Sequence, residues 1–368
     1  MIYISKPVIG KKEISAVIDV LKRGTLAQDA LVKTLEANWC ATSQSSYAVA
    51  VNSGTAALHA ALHAIGIMPG DEVITSPFTF IASANAIRMA GGVPIFADID
   101  VHSYNIDPTQ IEKYITEKTK AIMPINIYGQ PADYDAINAI AKKYKLSVVE
   151  DAAQSVGATY KGKQSGTLGD IGCFSLYATK NIMCGEGGII TMNSSKLETR
   201  ARLFRQHGME EGKRYVYHGL GYNYRLTELQ AAIAIEQLKQ LKNLTKKRQK
   251  IAEKYTNAFS KIEGIVPPVV TKGSTHVYHQ YTIRITGAFP LSRDGFIEYL
   301  KKKGIQANVY YPIPLFEFNH LKSSNINARN YPITNQVVKE VVSIPVHPTL
   351  TLSEVNYIIK TINSCSKL

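Results

Sequence analysis

The chain has 368 residues, 45% of them hydrophobic, and its 42 Lys and Arg against 29 Asp and Glu leave a formal charge of +13. That length calls for a large domain plus a smaller one rather than a single small core. The basic residues are scattered and no nucleic-acid-binding module accompanies them, which argues against nucleic acid as a partner and suits a protein that handles anionic small molecules.

In chain order, apolar residues at helical spacing predict helices over 13–21 (Ile14, Val17, Ile18, Leu21), stopped at Arg23-Gly24, and over 31–39. Short β-rich runs then alternate with helical patterns. The predicted strands are 47–51, 72–75, 93–97, 121–125, 147–149, 173–176 and 188–192, with helices at 56–65, 82–89 and 134–144 among them. Such alternation implies the α/β class, a mostly parallel seven-stranded sheet between helices. The strands are nearly continuous in apolar residues, as a sheet covered on both faces requires. From Leu226 the texture changes to a long helical pattern reaching Lys261, whose basic run Lys246-Lys247-Arg248-Gln249-Lys250 reads as a solvated face. Strands at 281–285 and 307–311 and helices at 293–303 and 353–362 complete a smaller α+β segment. The expected division is 1–245 for the large domain and 246–368 for the small one.

The four cysteines show neither a CxxC pair nor metal-ligand spacing, so no metal site is expected and a reducing compartment suits them. The first residues lack the apolar core of a signal peptide, and no apolar run is long enough to span a bilayer. The expectation is a cytoplasmic protein without membrane segments.

Open α/β sheets bind ligands at the carboxyl ends of their strands. After the first strand comes Asn52-Ser53-Gly54-Thr55, small and hydroxylic residues at a helix start, which reads either as a plain cap or as a phosphate grip. After the second comes Ser76-Pro77-Phe78-Thr79-Phe80, whose Phe80 is either core or a ring that stacks on a ligand. Asp151 follows the fifth strand, where it either caps a helix or pairs with a protonated heterocyclic nitrogen, and Gln154 offers an amide nearby. Ser175 and Lys180 follow in an apolar run closed by Gly185-Glu186-Gly187-Gly188. A lysine is rarely buried without a partner, and in a pocket its lowered proton affinity frees the amine to form a Schiff base. The glycines match neither GxxxxGK[ST] nor GxGxxG, which disfavours a nucleotide-triphosphatase or dinucleotide enzyme.

These stretches together, NSGTAAL (52–58), SPFTFIASANAI (76–87), EDAAQSVGA (150–158), CFSLYATKNIMCGEGG (173–188) and GYNYRLTELQAA (221–232), resemble the DegT/DnrJ/EryC1/StrS family of pyridoxal-phosphate-dependent sugar aminotransferases. The resemblance runs from about Lys6 to the end, through YGQPADYDAI, HQYTIR and SIPVHPTL. It implies fold type I and pyridoxal 5′-phosphate as cofactor. It further implies Lys180 as the Schiff-base lysine, Asp151 on the ring nitrogen and Gln154 near the ring hydroxyl. Gly54, Thr55 and Ser175 would hold the phosphate, and Phe80 would cover the ring. By the same resemblance Asn223 would reach the phosphate of a neighbouring subunit's cofactor, making a homodimer with shared active sites. Tyr310, Tyr311 and Pro312 are the expected acceptor contacts. Two positions depart from the family's habit: Asp29-Ala30 stands where a Gly-Pro pair is frequent, and Phe316 where many members carry histidine. The implied activity is transfer of an amino group, from L-glutamate, to a nucleotide-linked 3- or 4-keto deoxyhexose for amino-sugar or cell-surface polysaccharide synthesis. The alternatives are a sugar dehydratase of the same fold, whose resembling members carry histidine in place of the lysine, and a regulatory homologue without catalysis.

Overall fold

The computed structural model describes residues 1–322 and 327–368. Seven strands form the main sheet: β1 (Tyr47–Val51), β2 (Glu72–Thr75), β3 (Val93–Phe96), β4 (Thr119–Met123), β5 (Ser147–Asp151), β6 (Ile171–Ser175) and β7 (Gly188–Met192). Their spatial order is β1-β7-β6-β5-β4-β2-β3. Only β7 runs against its neighbours, β1 and β6; every other pairing is parallel. The carboxyl ends of the other six strands therefore share one edge, and β7 starts there.

Alternate residues along a strand face opposite sides, and in β1 both sides are apolar. Val49 and Val51 join a core with helix α3 (Gly54–Ile65). Ala48 and Ala50 join another with Leu35 and Trp39 of α2 (Ala30–Ser43). Helix α1 (Lys11–Arg23) precedes them, α4 (Ala82–Met89) leads into β3, and α5 (Tyr134–Tyr144) precedes β5. Helix α6 (Ser195–Arg205) packs on α3, and α7 (Glu228–Phe259) packs on α1 and α2. The start of α2 lacks a side-chain cap of its own. Glu228 of α7 supplies one, accepting the N–H groups of Asp29, Leu31 and Val32 at 2.9, 3.0 and 3.0 Å. A carboxylate at a helix N-terminus contributes roughly 0.3–1 kcal/mol, so this contact also fixes α2 against α7.

The C-terminal part holds an antiparallel sheet, β8 (Ile265–Val266), β9 (Tyr281–Ile285) and β10 (Val341–Ile344), with α8 (Arg293–Lys302), α9 (Pro332–Glu340) and α10 (Leu352–Cys365). Its core includes Ile251, Tyr255 and Phe259 from the second half of α7. Ile2 also docks there, donating its N–H to Gly304 at 2.7 Å and accepting that of Gln306 at 2.9 Å. No helix among the described residues is long and apolar enough to cross a membrane.

Three expectations are corrected. Residues 307–311 form no strand; a single bridge joins Asn308 to Ser343. The segment leaves the sheet toward the large-sheet edge, and Pro312 and Pro314 just beyond it have no N–H to donate to a ladder. The basic run on α7 is not wholly solvated, because Arg248 is 5% exposed and donates to the carbonyls of Tyr278 and His279 at 3.1 and 3.4 Å. Asp151 does not follow β5 but is its last residue.

Candidate active site

The strand ends open onto a cavity of about 620 Å³. Gly54, Thr55, Phe80, Asp151, Gln154, Ser175, Lys180, Tyr310 and Tyr311 all line it. Pro312 does not; it is exposed outside, because the chain turns away after Tyr311.

Asp151 is 4% exposed. Burial raises its proton affinity, while a hydrogen bond from Ser83, the N–H of Ala153 and the positive charge of Lys180 oppose the rise. Ser83, on α4, donates its hydroxyl to Oδ2 at 2.8 Å, and Ala153 donates to Oδ1 at 3.1 Å. The carboxylate is thus aimed by contacts from two segments. Lys180 lies in a turn closed by its own N–H to the carbonyl of Tyr177 at 2.8 Å. Burial lowers its ammonium to about 8, with Asp151 pulling the other way. At neutral pH about a tenth of the amine is therefore neutral, far more than for an ordinary lysine, as a nucleophilic amine needs.

The N-terminus of α3 closes another side. Ser53 caps it, its Oγ taking the N–H of Ala56 at 3.0 Å, while its carbonyl takes that of Ala57. The first N–H groups of a helix have no carbonyl one turn back, so those of Gly54 and Thr55 are left for another acceptor. The backbone is pressed tightly here: a Cβ on Gly54 would stand 2.8 Å from Cβ of Ser175, and one on Gly188 would stand 2.3 Å from the Ser53 carbonyl oxygen. Only glycine lets the helix start, β6 and β7 meet this closely.

Gln154 is 6% exposed and its Oε1 accepts the N–H of Tyr128 at 2.8 Å. Its Nε2 then faces the hydroxyl of Tyr311 at 3.4 Å. Phe78 is core at 1% exposed, whereas Phe80 is 56% exposed with its ring 6.1 Å from that of Tyr311. His279, Gln280, Tyr177 and Glu186 line the cavity as well, and sequence reasoning assigned none of them a role. His279 stays neutral, because burial and then the charge of Lys180 hold it well below the ordinary histidine range. Its presence inside HQYTIR was the only signal available.

Asn223 lies outside this cavity and is exposed. Its carbonyl accepts from Asn52 Nδ2 at 3.2 Å, and its neighbours Tyr222 and Tyr224 stack with centroids 5.1 Å apart. Phe316, at the position where histidine is frequent, is 2% exposed and stacks on Tyr331 at 4.7 Å. It belongs to a core cluster, not to the cavity wall.

A seven-stranded sheet with one reversed strand, and a lysine and a buried aspartate sharing a cavity at its carboxyl edge, place the molecule among fold type I pyridoxal-phosphate-dependent enzymes. The chain belongs to the DegT/DnrJ/EryC1/StrS aminotransferase family, whose model matches residues 7–363. A pleiotropic regulatory protein of Geobacillus stearothermophilus is 42% identical, covering 96% of this chain and 94% of that one. The UDP-2-acetamido-2-deoxy-3-oxo-D-glucuronate aminotransferase of Pseudomonas aeruginosa is 38% identical, with 92% of each chain covered. Among solved structures, Helicobacter pylori PseC, an aminotransferase involved in the biosynthesis of pseudoaminic acid, superposes with a TM-score of 0.94 at 29% identity over 100% of this chain and 99% of that one. The chain is a pyridoxal-phosphate-dependent sugar aminotransferase.

Proposed function

We propose that the protein transfers the amino group of L-glutamate to a ketone carbon of a nucleotide-linked keto sugar, a 3- or 4-keto deoxyhexose, with Lys180 and Asp151 as its catalytic residues. The observation that carries this is the opening of both side chains onto one cavity where burial lowers the lysine to about 8. The likeness to an aminotransferase named for a UDP-linked 3-oxo sugar acid supports the acceptor class. The net charge of +13 suits an anionic nucleotide.

The residues fit pyridoxal 5′-phosphate. Two N–H groups at the start of α3 and the hydroxyl of Ser175, in a cradle that a Cβ on Gly54 would fill, would hold its phosphate. Asp151 would accept a hydrogen bond from the ring nitrogen, the Gln154 amide would sit beside the ring hydroxyl, and Phe80 would cover a ring face. Bound there, the cofactor supplies the electron sink that exchange of an amino group for a carbonyl requires. Lys180 does the acid–base work: its neutral amine removes a proton from one carbon and returns it to another, a contribution of about 100- to 10,000-fold. Ser83 keeps Asp151 aligned meanwhile.

The working unit is a homodimer in the cytoplasm, with Asn223 of each subunit completing the other's phosphate site. Residues 1–245 form the cofactor-binding domain and 246–368 the small domain that supplies Tyr310 and Tyr311. The test is a pair of half-reactions. L-Glutamate should convert the yellow, borohydride-sensitive enzyme to its aminated form, and a member of a panel of UDP-, GDP- and dTDP-linked keto sugars should restore the colour. Lys180→Ala should show no such band. A protein that takes up no pyridoxal phosphate would favour the regulatory role for which one relative is named.

A further inference from the structure

Tyr128 lies in the loop after β4, is 3% exposed, and has a φ of 57°, in the left-handed region that a bulky side chain rarely adopts. Its surroundings account for the persistence of that conformation. The N–H of Tyr128 donates to Gln154 Oε1 at 2.8 Å, and its carbonyl accepts the N–H of Gln280 at 3.2 Å. Its hydroxyl donates to the carbonyl oxygen of Tyr310. The ring is held edge-on by Phe78 and Tyr104, with centroids 6.1 and 5.8 Å away. Gly129 follows at φ 111°, where a Cβ would stand 2.9 Å from Val277 Cγ2 and 3.0 Å from the nitrogen of His279. One loop of the large sheet is thereby pinned to the segment 277–280 and to the loop at 310.

These contacts close a circuit. Because the Tyr128 N–H occupies Oε1, the Gln154 amide is oriented with Nε2 toward the cavity and the Tyr311 hydroxyl, 3.4 Å away. The Tyr128 hydroxyl holds the next peptide of the same wall. From this juxtaposition we propose that Tyr128 is a positioning residue: it keeps the acceptor-side wall, Tyr310 and Tyr311, in register with the cofactor-side amide of Gln154. The proposal rests on the aminotransferase reading above for which side of the cavity is which. Packing alone would be met by phenylalanine; the hydroxyl adds the tie to Tyr310 and a contact with Thr282.

The experiment compares Tyr128→Phe with Tyr104→Phe, both loaded with cofactor. The second variant removes a hydroxyl from the same aromatic cluster without touching the circuit. Three quantities are read: the donor half-reaction with L-glutamate, followed by loss of the visible band; the acceptor KM for each panel sugar that the wild type turns over; and amide hydrogen exchange at Tyr311, Ile313, Leu315 and Phe316. Tyr128→Phe should raise the acceptor KM about ten-fold, as loss of a buried hydrogen bond does, and speed exchange at those four amides. The donor half-reaction should change much less, and Tyr104→Phe should do neither. Unchanged acceptor KM and exchange, equal effects on both half-reactions, or the same effects from Tyr104→Phe would overturn the positioning role. A wild type that fails the donor half-reaction would overturn the aminotransferase reading instead, and the exchange comparison would still decide whether Tyr128 ties down the loop.

Discussion

At Lys180 two effects oppose each other: burial disfavours the ammonium, the Asp151 carboxylate favours it, and burial wins, leaving the group at about 8. Below about pH 8 the amine is mostly protonated and cannot attack an aldehyde; above it the neutral form dominates. Uptake of pyridoxal phosphate by the apoenzyme, timed by growth of its visible band, should accelerate about ten-fold per pH unit up to about pH 8 and then level off. Asp151→Asn removes the opposing charge and should move the break to lower pH. A rate that is flat between pH 6 and 9 would contradict this account. Lysine and aspartate were legible in the sequence because charged residues set in apolar runs need a reason. Ser83 was not: a serine in an alanine-rich helix carries no pattern, and only the fold brings it within 2.8 Å of a residue 68 positions away.

Among the elements, the legible ones are those whose apolar residues stand out clearly from polar flanks. β1, β2, β7, α4 and α5 fall where short apolar runs and helical spacing predict them. β4 begins two residues early, at Thr119-Lys120, because polar residues at a strand start leave no apolar signal, and it ends before Pro124, which lacks an N–H. α6 and α9 were missed since one is rich in charge and the other is built largely of β-branched residues, Ile333, Thr334, Val337 and Val338, which favour strands. The helix start was placed at 52–55 but the helix itself at 56, two residues late, since glycine is a poor helix former; the reason for Gly54 is tertiary, the 2.8 Å approach of Ser175 to where a Cβ would be. Gly54→Ala therefore sets two effects against each other. Alanine favours the helix by about 1 kcal/mol at an interior position and less at its first residue. The methyl group, however, forces Ser175 and the helix start apart, narrowing the cradle. We expect thermal unfolding within a few degrees of wild type and affinity for pyridoxal phosphate weakened at least ten-fold by equilibrium titration. Unchanged affinity would remove α3 and Ser175 from the phosphate site.

At the scale of the whole molecule, the proposed homodimer turns on Asn223. Asn223 and its flanking segment lie outside the cavity, yet the segment is held in place: Asn52 takes its backbone, Gln206 bridges to it, and Tyr222 and Tyr224 pack with Phe204 and His59. Beside it Tyr215, Tyr217 and Leu220 are 79%, 57% and 71% exposed. An ordered polar residue next to exposed aromatic and aliphatic side chains suits the homodimer proposed above. The test uses two inactive variants. In a homodimer with shared sites, Lys180→Ala and Asn223→Ala each damage every site, but a mixed dimer places both lesions in one site and leaves the other intact. Random exchange of equal amounts makes about half of the dimers mixed, so about a quarter of all sites should work again. Activity should therefore rise on mixing to about a quarter of wild type, at a rate set by subunit exchange. If exchange is demonstrated with differently tagged chains and Asn223→Ala alone is impaired, absence of recovery means that Asn223 serves its own chain or none.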